Sequence, residues 1–160
     1  MKAIRVGMGF DVHRYAEGRE LWLGGIQIQH EKGLLGHSDA DALIHALCDA
    51  LLGAAGLRDI GFHFPDTDYS YKNIDSKILL QKTMTLLYAV SYEFGNADIT
   101  VCTEAPRLKP YIPSMIACLS ETMRVDPGDI SIKATTSEKM GYVGREEGIA
   151  VYATVLICKK

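Results

Sequence analysis

The spacing of apolar and polar positions changes period several times along the 160-residue chain, and each change marks an element. Residues 3–13, AIRVGMGFDVH, alternate as a strand does, and residues 20–30, ELWLGGIQIQH, read as a hairpin bent at Gly24 and Gly25 or as one long bulged strand. A helical period follows in HSDADALIHALCDALLGAAG, where Leu43, Leu47, Ala50 and Ala54 form one apolar stripe. Ser38 or Asp39 is placed to cap that helix and Gly56 to end it. Residues 57–73 have loop chemistry through Gly61 and Pro65, yet carry Ile60, Phe62 and Phe64, so this loop either closes over something or packs down. A second helix is expected from about Asp75 to Phe94, with Gly95 and Asn96 as its stop. A strand over 96–106, a helix over 110–123, a strand over 128–138 and a last strand over 148–160 complete the pattern.

These elements predict an α/β (α+β) fold with a mixed four-stranded sheet and helices on one face. The last strand adds a constraint. Ile149, Val151, Val155 and Ile157 point to one side, Ala150, Tyr152, Leu156 and Cys158 to the other, and a sheet face turned to water should alternate with polar residues. Helices can cover one side; a subunit interface is the expected cover for the other.

Composition narrows the class further. With 48% hydrophobic residues, no internal repeat and no linker, residues 1–160 read as one domain. The formal net charge is -3 and the Lys and Arg residues are scattered, which argues against a nucleic-acid or membrane partner and leaves any anionic substrate to local groups or metals. Cys48, Cys102, Cys118 and Cys158 lack C-x-x-C spacing and read as buried thiols of a reducing compartment. The start has no signal-peptide pattern and no apolar run is long enough to span a bilayer. A cytoplasmic, bacterial location is expected; a plastid one would require a transit peptide ahead of this sequence.

Candidate chemistry begins with Asp11 and His13, which leave one face of the first strand side by side. On the first helix, Asp41, His45 and Asp49 share a face at i, i+4 and i+8. If that helix presents His45 to the strand, two nitrogens and one carboxylate oxygen form a three-ligand set with a vacant fourth position. Such a set holds a catalytic zinc or a non-haem iron, and the competing reading is a wet polar helix face. Asp49 is the expected partner of the other ring nitrogen of His45. Farther on, Arg107 and Lys109 stand between two prolines at a strand end, and residues 134–148, ATTSEKMGYVGREEG, place hydroxyls and Glu138 at another. Both segments can receive an anion, or simply form turns.

GFDVHRY, HSDADALIHALCDALLGAAGLRDIGFHFPDTD, TEAPRLKPYI and ATTSEKMGYVGREEGIA, in this order, resemble the signature segments of the 2-C-methyl-D-erythritol 2,4-cyclodiphosphate synthase family, and the resemblance runs from about residue 4 to residue 158. It implies conversion of 4-diphosphocytidyl-2-C-methyl-D-erythritol 2-phosphate into the cyclic diphosphate with release of CMP, in the non-mevalonate isoprenoid pathway. By similarity, Asp11, His13 and His45 bind one zinc per subunit. Glu138 contributes to a second divalent ion, magnesium or manganese, and His37 and Thr136 stabilise the transition state. The sugar-phosphate end would be lined by His37, Ser38, Asp59, Ile60 and Gly61 and by the run Phe64, Pro65, Asp66, Thr67 and Asp68. Thr103, Glu104, Ala105, Pro106, Arg107, Leu108 and Lys109 would hold the cytidine diphosphate end together with Thr135, Ser137 and Glu138, and Tyr142 and Arg145 join the ligand-binding set. The resemblance also implies a homotrimer with its sheets around a three-fold axis, active sites between neighbouring chains, and an axial cavity for an isoprenoid diphosphate involving Phe10, Arg145 and Glu147. Arg107, Ser137 and Glu146 depart from the family pattern, which has Lys, Thr and Gly there. A zinc phosphodiesterase and a nucleotide-sensing module are the alternatives that product analysis separates.

Overall fold

The computed structural model describes residues 3–160, and in it the alternating amino-terminal segment becomes β1 (Ile4–Glu17). Residues 20–30 form the hairpin rather than a bulged strand: β2 (Leu21–Leu23) and β3 (Ile26–Ile28) pair across Gly24 and Gly25. Those glycines have φ of 63° and 78°, the left-handed conformation that a two-residue turn demands. The chain continues through β4 (Lys32–Leu34), α1 (Ala42–Ala55), the one-turn α2 (Ile60–His63), α3 (Ser76–Ala89), β5 (Tyr92–Cys102) and α4 (Ile112–Met123). It ends with β6 (Ile130–Thr135), the one-turn α5 (Gly141–Gly144) and β7 (Gly148–Lys159).

The main sheet has five strands, not the expected four, in the order β4-β1-β7-β5-β6. The extra strand is β4, whose three residues return along the end of β1, Tyr15 opposite Leu34. A strand this short has no period of its own and exists only through that pairing. β5 and β6 run parallel, joined through α4, while the other pairs are antiparallel.

Two local expectations are corrected by non-local contacts. The second helix ends at Ala89 rather than Phe94, and Tyr92, Glu93 and Phe94 join β5, where they pair with Lys159, Cys158 and Ile157 of β7. Gly95 and Asn96 therefore form a bulge in that strand instead of a helix stop. The cap of α1 is Asp41, not Ser38 or Asp39: its Oδ1 accepts the Ile44 N–H at 3.0 Å. Asp41 is fully buried and also accepts from Gly24 N at 2.9 Å and Gly25 N at 2.7 Å, so one carboxylate fastens the hairpin turn to the helix start. Burial, with the charge of Asp39, pushes its pKa up against those three donors.

The sheet has a covered and an uncovered side. Ile149, Val151, Val155 and Ile157 of β7 are buried under the helices, as the sequence predicts for that set, and Ala153 is buried with them; of the four cysteines only Cys48 is buried, the other three being partly exposed. On β1 the helix-facing positions include Gly7, Gly9, Asp11 and His13, and α1 lies so close that a Cβ on Gly7 would collide with the Ala50 carbonyl oxygen and one on Gly9 with that of Ala46. The glycines let helix and strand backbones approach, and Ala46, Ala50 and Ala54 keep the helix side equally small. Gly9→Ala is expected to lower stability by about 3 kcal/mol through overpacking, measured by denaturant unfolding. An unchanged midpoint would contradict the close contact. The opposite side exposes Ile4, Val6, Met8, Phe10, Val12 and Tyr152, each more than 40% accessible.

Candidate metal centre and substrate cavity

The close approach of β1 and α1 brings the sequence-predicted triad together. Asp11 Oδ2 lies 3.0 Å from His13 Nε2 and 3.2 Å from His45 Nδ1, and the two ring nitrogens are 3.3 Å apart. Among the described residues this is a group whose three donor atoms fall within 4.8 Å of one another. Two imidazoles and one carboxylate fit a first-row divalent cation with a fourth position left for substrate or water. His13 is already oriented for this: its Nδ1 donates to the Leu35 carbonyl at 2.7 Å and leaves Nε2 facing the cluster. Burial disfavours the Asp11 charge, but hydrogen bonds and charge from His13 and His45 outweigh it and hold the carboxyl well below the usual range. Burial likewise opposes a charged His13, and its contact with Asp11 overcomes this and raises the imidazole pKa.

Asp49 does not serve His45 as expected. Its Oδ1 accepts the Ile60 N–H at 2.7 Å and fastens α2 to α1, with burial the main cause of its raised pKa. The far nitrogen of His45, Nε2, instead meets Ser76 Oγ at 3.0 Å and Ser38 Oγ at 3.2 Å.

The triad opens into a cavity of about 250 Å³. His37, Ser38, Ile60, Gly61, Phe64 and Asp66 line it, alongside Asp49 and Tyr71. His37 Nε2 is buried with no hydrogen-bond partner among the described residues. Asp59 caps α2, accepting the Phe62 N–H at 2.8 Å, and Asp68 caps the next turn through Ser70 N at 2.9 Å. Neither is a cavity wall, and Pro65 and Thr67 are exposed beside them.

The second predicted set gathers at the ends of β5 and β6 and lines no part of this cavity. Glu104 Oε1 accepts Ser137 N at 2.9 Å, Ser137 Oγ at 3.1 Å and Lys139 N at 3.3 Å, so the two loops are tied by one carboxylate. The Ser137 N–H, foremost among these donors, holds the Glu104 pKa down. Thr136 Oγ1 and Glu138 Oε1 are 3.4 Å apart and exposed. Thr103 N donates to Thr135 O, Leu108 is buried, and Arg107 and Lys109 flank it. Tyr142 is exposed on α5, and Arg145 Nε donates to Glu147 Oε1 at 2.6 Å. From β1 across β7 and β5 to β6 is three strand steps, roughly 14 Å, so within one chain the 136–138 loop stands apart from the triad.

A sequence model of the YgbB family matches residues 4–158. The chain belongs to the YgbB family. It is 68% identical to a protein of Bacteroides fragilis strain YCH46 named 2-C-methyl-D-erythritol 2,4-cyclodiphosphate synthase, over 96% of this chain and 97% of that one. Its fold superposes on the bifunctional IspDF of Campylobacter jejuni with a TM-score of 0.96 at 43% identity; the match covers 100% of this chain and 43% of that longer one. It also superposes on a 2C-methyl-D-erythritol-2,4-cyclodiphosphate synthase solved in a CDP-bound form, with a TM-score of 0.88, 38% identity, and coverage of 96% and 99%.

Within this YgbB-family site, two contributors carry no signal in the sequence. Ser76 sits in the first turn of α3, where a serine is unremarkable, and only the packing of α3 on α1 brings it to His45. Tyr15, two residues beyond His13 on the same face of β1, donates to the Ala105 carbonyl at 2.5 Å and lies 3.1 Å from Thr103 Oγ1. It ties the 103–109 loop to the strand that carries Asp11 and His13.

Proposed function

We propose that this chain is a 2-C-methyl-D-erythritol 2,4-cyclodiphosphate synthase, converting 4-diphosphocytidyl-2-C-methyl-D-erythritol 2-phosphate to the cyclic diphosphate and CMP. The observation that carries this reading is the convergence of Asp11, His13 and His45 at a cavity walled by His37, Ser38 and the 60–66 segment. Asp11 Oδ2, His13 Nε2 and His45 Nδ1 would hold zinc, and Glu138 would contribute to a magnesium or manganese ion. Bound there, such cations neutralise diphosphate charge and polarise the phosphorus under attack.

The remaining work falls to the chain. The substrate's own 2-phosphate oxygen attacks the β-phosphorus, and the bond from that phosphorus to the oxygen it shares with the α-phosphate breaks, which releases CMP. The attacking oxygen is ionised near neutral pH, so the site needs no strong base. Its task is to fold two repelling phosphates of one molecule into line, and restricting that freedom is itself a large share of the rate. His37 offers its unpartnered ring nitrogen to a phosphate oxygen. Thr136, in the loop that Glu104 holds, offers a hydroxyl to the departing phosphate. Phe64 and Tyr71, packed ring to ring at 5.6 Å, close the loop side and exclude water that would divert the reaction to hydrolysis.

The separation of the two halves in one chain supports a homotrimer in which the 103–109 and 136–138 loops of one subunit complete the cavity of its neighbour. The exposed apolar face of β1 and β7 would pack about the three-fold axis. Arg145 and Glu147, ion-paired at 2.6 Å, would stand near an axial cavity of the kind that takes an isoprenoid diphosphate.

Phosphorus NMR of the products tests the reaction: the diphosphocytidyl substrate with zinc and magnesium should yield the cyclic diphosphate and CMP. An open sugar phosphate with CMP would identify a hydrolase instead. Glu138→Gln should keep zinc but require roughly tenfold more magnesium for half-maximal turnover, because a neutral amide is a poorer ligand for a hard cation. An unchanged magnesium titration would remove Glu138 from the metal site.

A further inference from the structure

The 103–109 loop has little backbone structure of its own. Thr103 N donates to Thr135 O at 3.0 Å and Tyr111 N to Leu108 O at 2.8 Å, but among the described residues 104–107 make no backbone-to-backbone hydrogen bond. Pro106 has no N–H to offer. The course of this bend is therefore set by side-chain anchors. On one side Glu104 Oε1 accepts Ser137 N and Lys139 N. On the other the Tyr15 hydroxyl, 90 positions away in sequence, donates to the Ala105 carbonyl at 2.5 Å, and Thr103 Oγ1 donates to the same oxygen at 2.5 Å. A carbonyl oxygen has two lone pairs, so both hydroxyls are accommodated.

Tyr15 is the fixed member of this contact. Its backbone is held from both sides: it pairs with Leu34 of β4, and its N–H donates to Glu147 O at 2.9 Å. Its ring is half-buried, with the His30 ring 5.6 Å away. Burial, foremost, raises the pKa of the phenol, which keeps its proton and stays a donor.

We propose that Tyr15 is a positioning residue for nucleotide binding: its hydroxyl holds the 103–105 bend in the shape that receives the diphosphate end of a cytidine nucleotide. The anchoring half stands on the contacts above; the nucleotide half rests on the proposed function. The assignment does not depend on which oxygen takes the Tyr15 proton. Thr103 Oγ1 is 3.1 Å from the hydroxyl, and a bond to it would grip the same bend, because Thr103 is itself bonded to Ala105. The direction of the Ala105 carbonyl matters for the charge of the ligand. A free carbonyl oxygen beside a diphosphate would set a partial negative charge against it, whereas one engaged by Tyr15 is turned toward β1. Without that hydroxyl the bend keeps only the local Thr103 bond and the Glu104 tie, and must be ordered at the moment of binding, a cost that falls on affinity.

Tyr15→Phe removes one oxygen and keeps the ring beside His30, so the chain should fold as the parent does. Amide hydrogen exchange of the ligand-free full chain should show residues 103–109 exchanging roughly 3–10-fold faster in the variant, the worth of one ordinary hydrogen bond, with β1 and α1 unchanged. CDP with magnesium, titrated by calorimetry, should bind about 3–10-fold more weakly. KM for the diphosphocytidyl substrate should rise with it while kcat holds, since a loop ordered in both the ground and the transition state contributes uniform binding. Zinc content should stay at the parental level, which separates an effect on the loop from one on the strand that carries Asp11 and His13. Parental exchange in 103–109 would overturn the anchor. Faster exchange with parental CDP affinity would reduce the contact to a structural tie and overturn the positioning role, and so would a loss of zinc that matches the loss of CDP. If the parent chain itself binds no CDP, the nucleotide reading of the loop falls, and the exchange measurement still judges the anchor.

Discussion

His45→Ala is expected to lose bound zinc and turnover together while the chain stays folded. The parent should hold about one zinc per subunit after dialysis, and the variant close to none, because two remaining donors cannot make a closed three-ligand platform. Charge stabilisation by a bound cation is worth several kcal/mol, so turnover should fall roughly 10³-fold or more. The substitution is tolerated by the fold because His45 is only partly buried, with its ring at the cavity edge rather than in the apolar stripe of α1. Metal analysis, circular dichroism and product assay on one preparation separate the possibilities. Full activity in a zinc-free variant would remove the metal from the mechanism, and an unfolded variant would make His45 a structural residue.

Tyr152→Asp should convert the proposed trimer to monomers. Tyr152 lies on the uncovered side of β7, 43% accessible and in ring contact with Phe10 at 5.0 Å, in the middle of the apolar face of β1 and β7. A carboxylate there is solvated in a single chain but becomes an unpaired buried charge, repeated three times about the axis, in the assembly. Light scattering at micromolar concentration should give a trimer for the parent and a monomer for the variant. Turnover should disappear with it, because one chain keeps the metal triad and the Thr136 loop apart. The neighbouring Val151→Asp would act differently: Val151 has no accessible surface and faces α1, so a charge there should unfold the chain itself. A parent chain that is monomeric, or a variant that remains trimeric, would contradict this use of the face.

The elements and the triad were legible because they depend on short-range rules. Asp11 and His13 share a face in any strand, and Gly24 and Gly25 suit a left-handed turn wherever they occur. The alternation of residues 149–157 separates a helix-facing set from an outward one, and burial divides the same way from Val151 to Ile157, whereas Ala150 of the outward set is buried too. What the helical period could not reveal is which polar side chain serves which partner. Asp49 has the right spacing to reach along its own helix to His45, yet α2 arrives with an unpaired Ile60 N–H and takes it. Ser76 lies 31 residues from His45 in sequence and reaches it only because α3 packs on α1.

The same division explains the two misplaced boundaries and the missing strand. Residues 90–96 carry apolar residues that suit a helix, but the edge of β7 offers a ladder of backbone partners that no isolated segment can anticipate. β4 is three residues long and exists only beside β1. The sequence by itself determined the local conformations, the apolar faces and the residue types able to hold a metal, since each follows from side chains a few positions apart. The tertiary structure alone decided the strand count, the cap of α1 and the partners of His45, because hydrogen-bonding groups compete for one another in space and the nearest suitable donor is seldom the nearest in sequence.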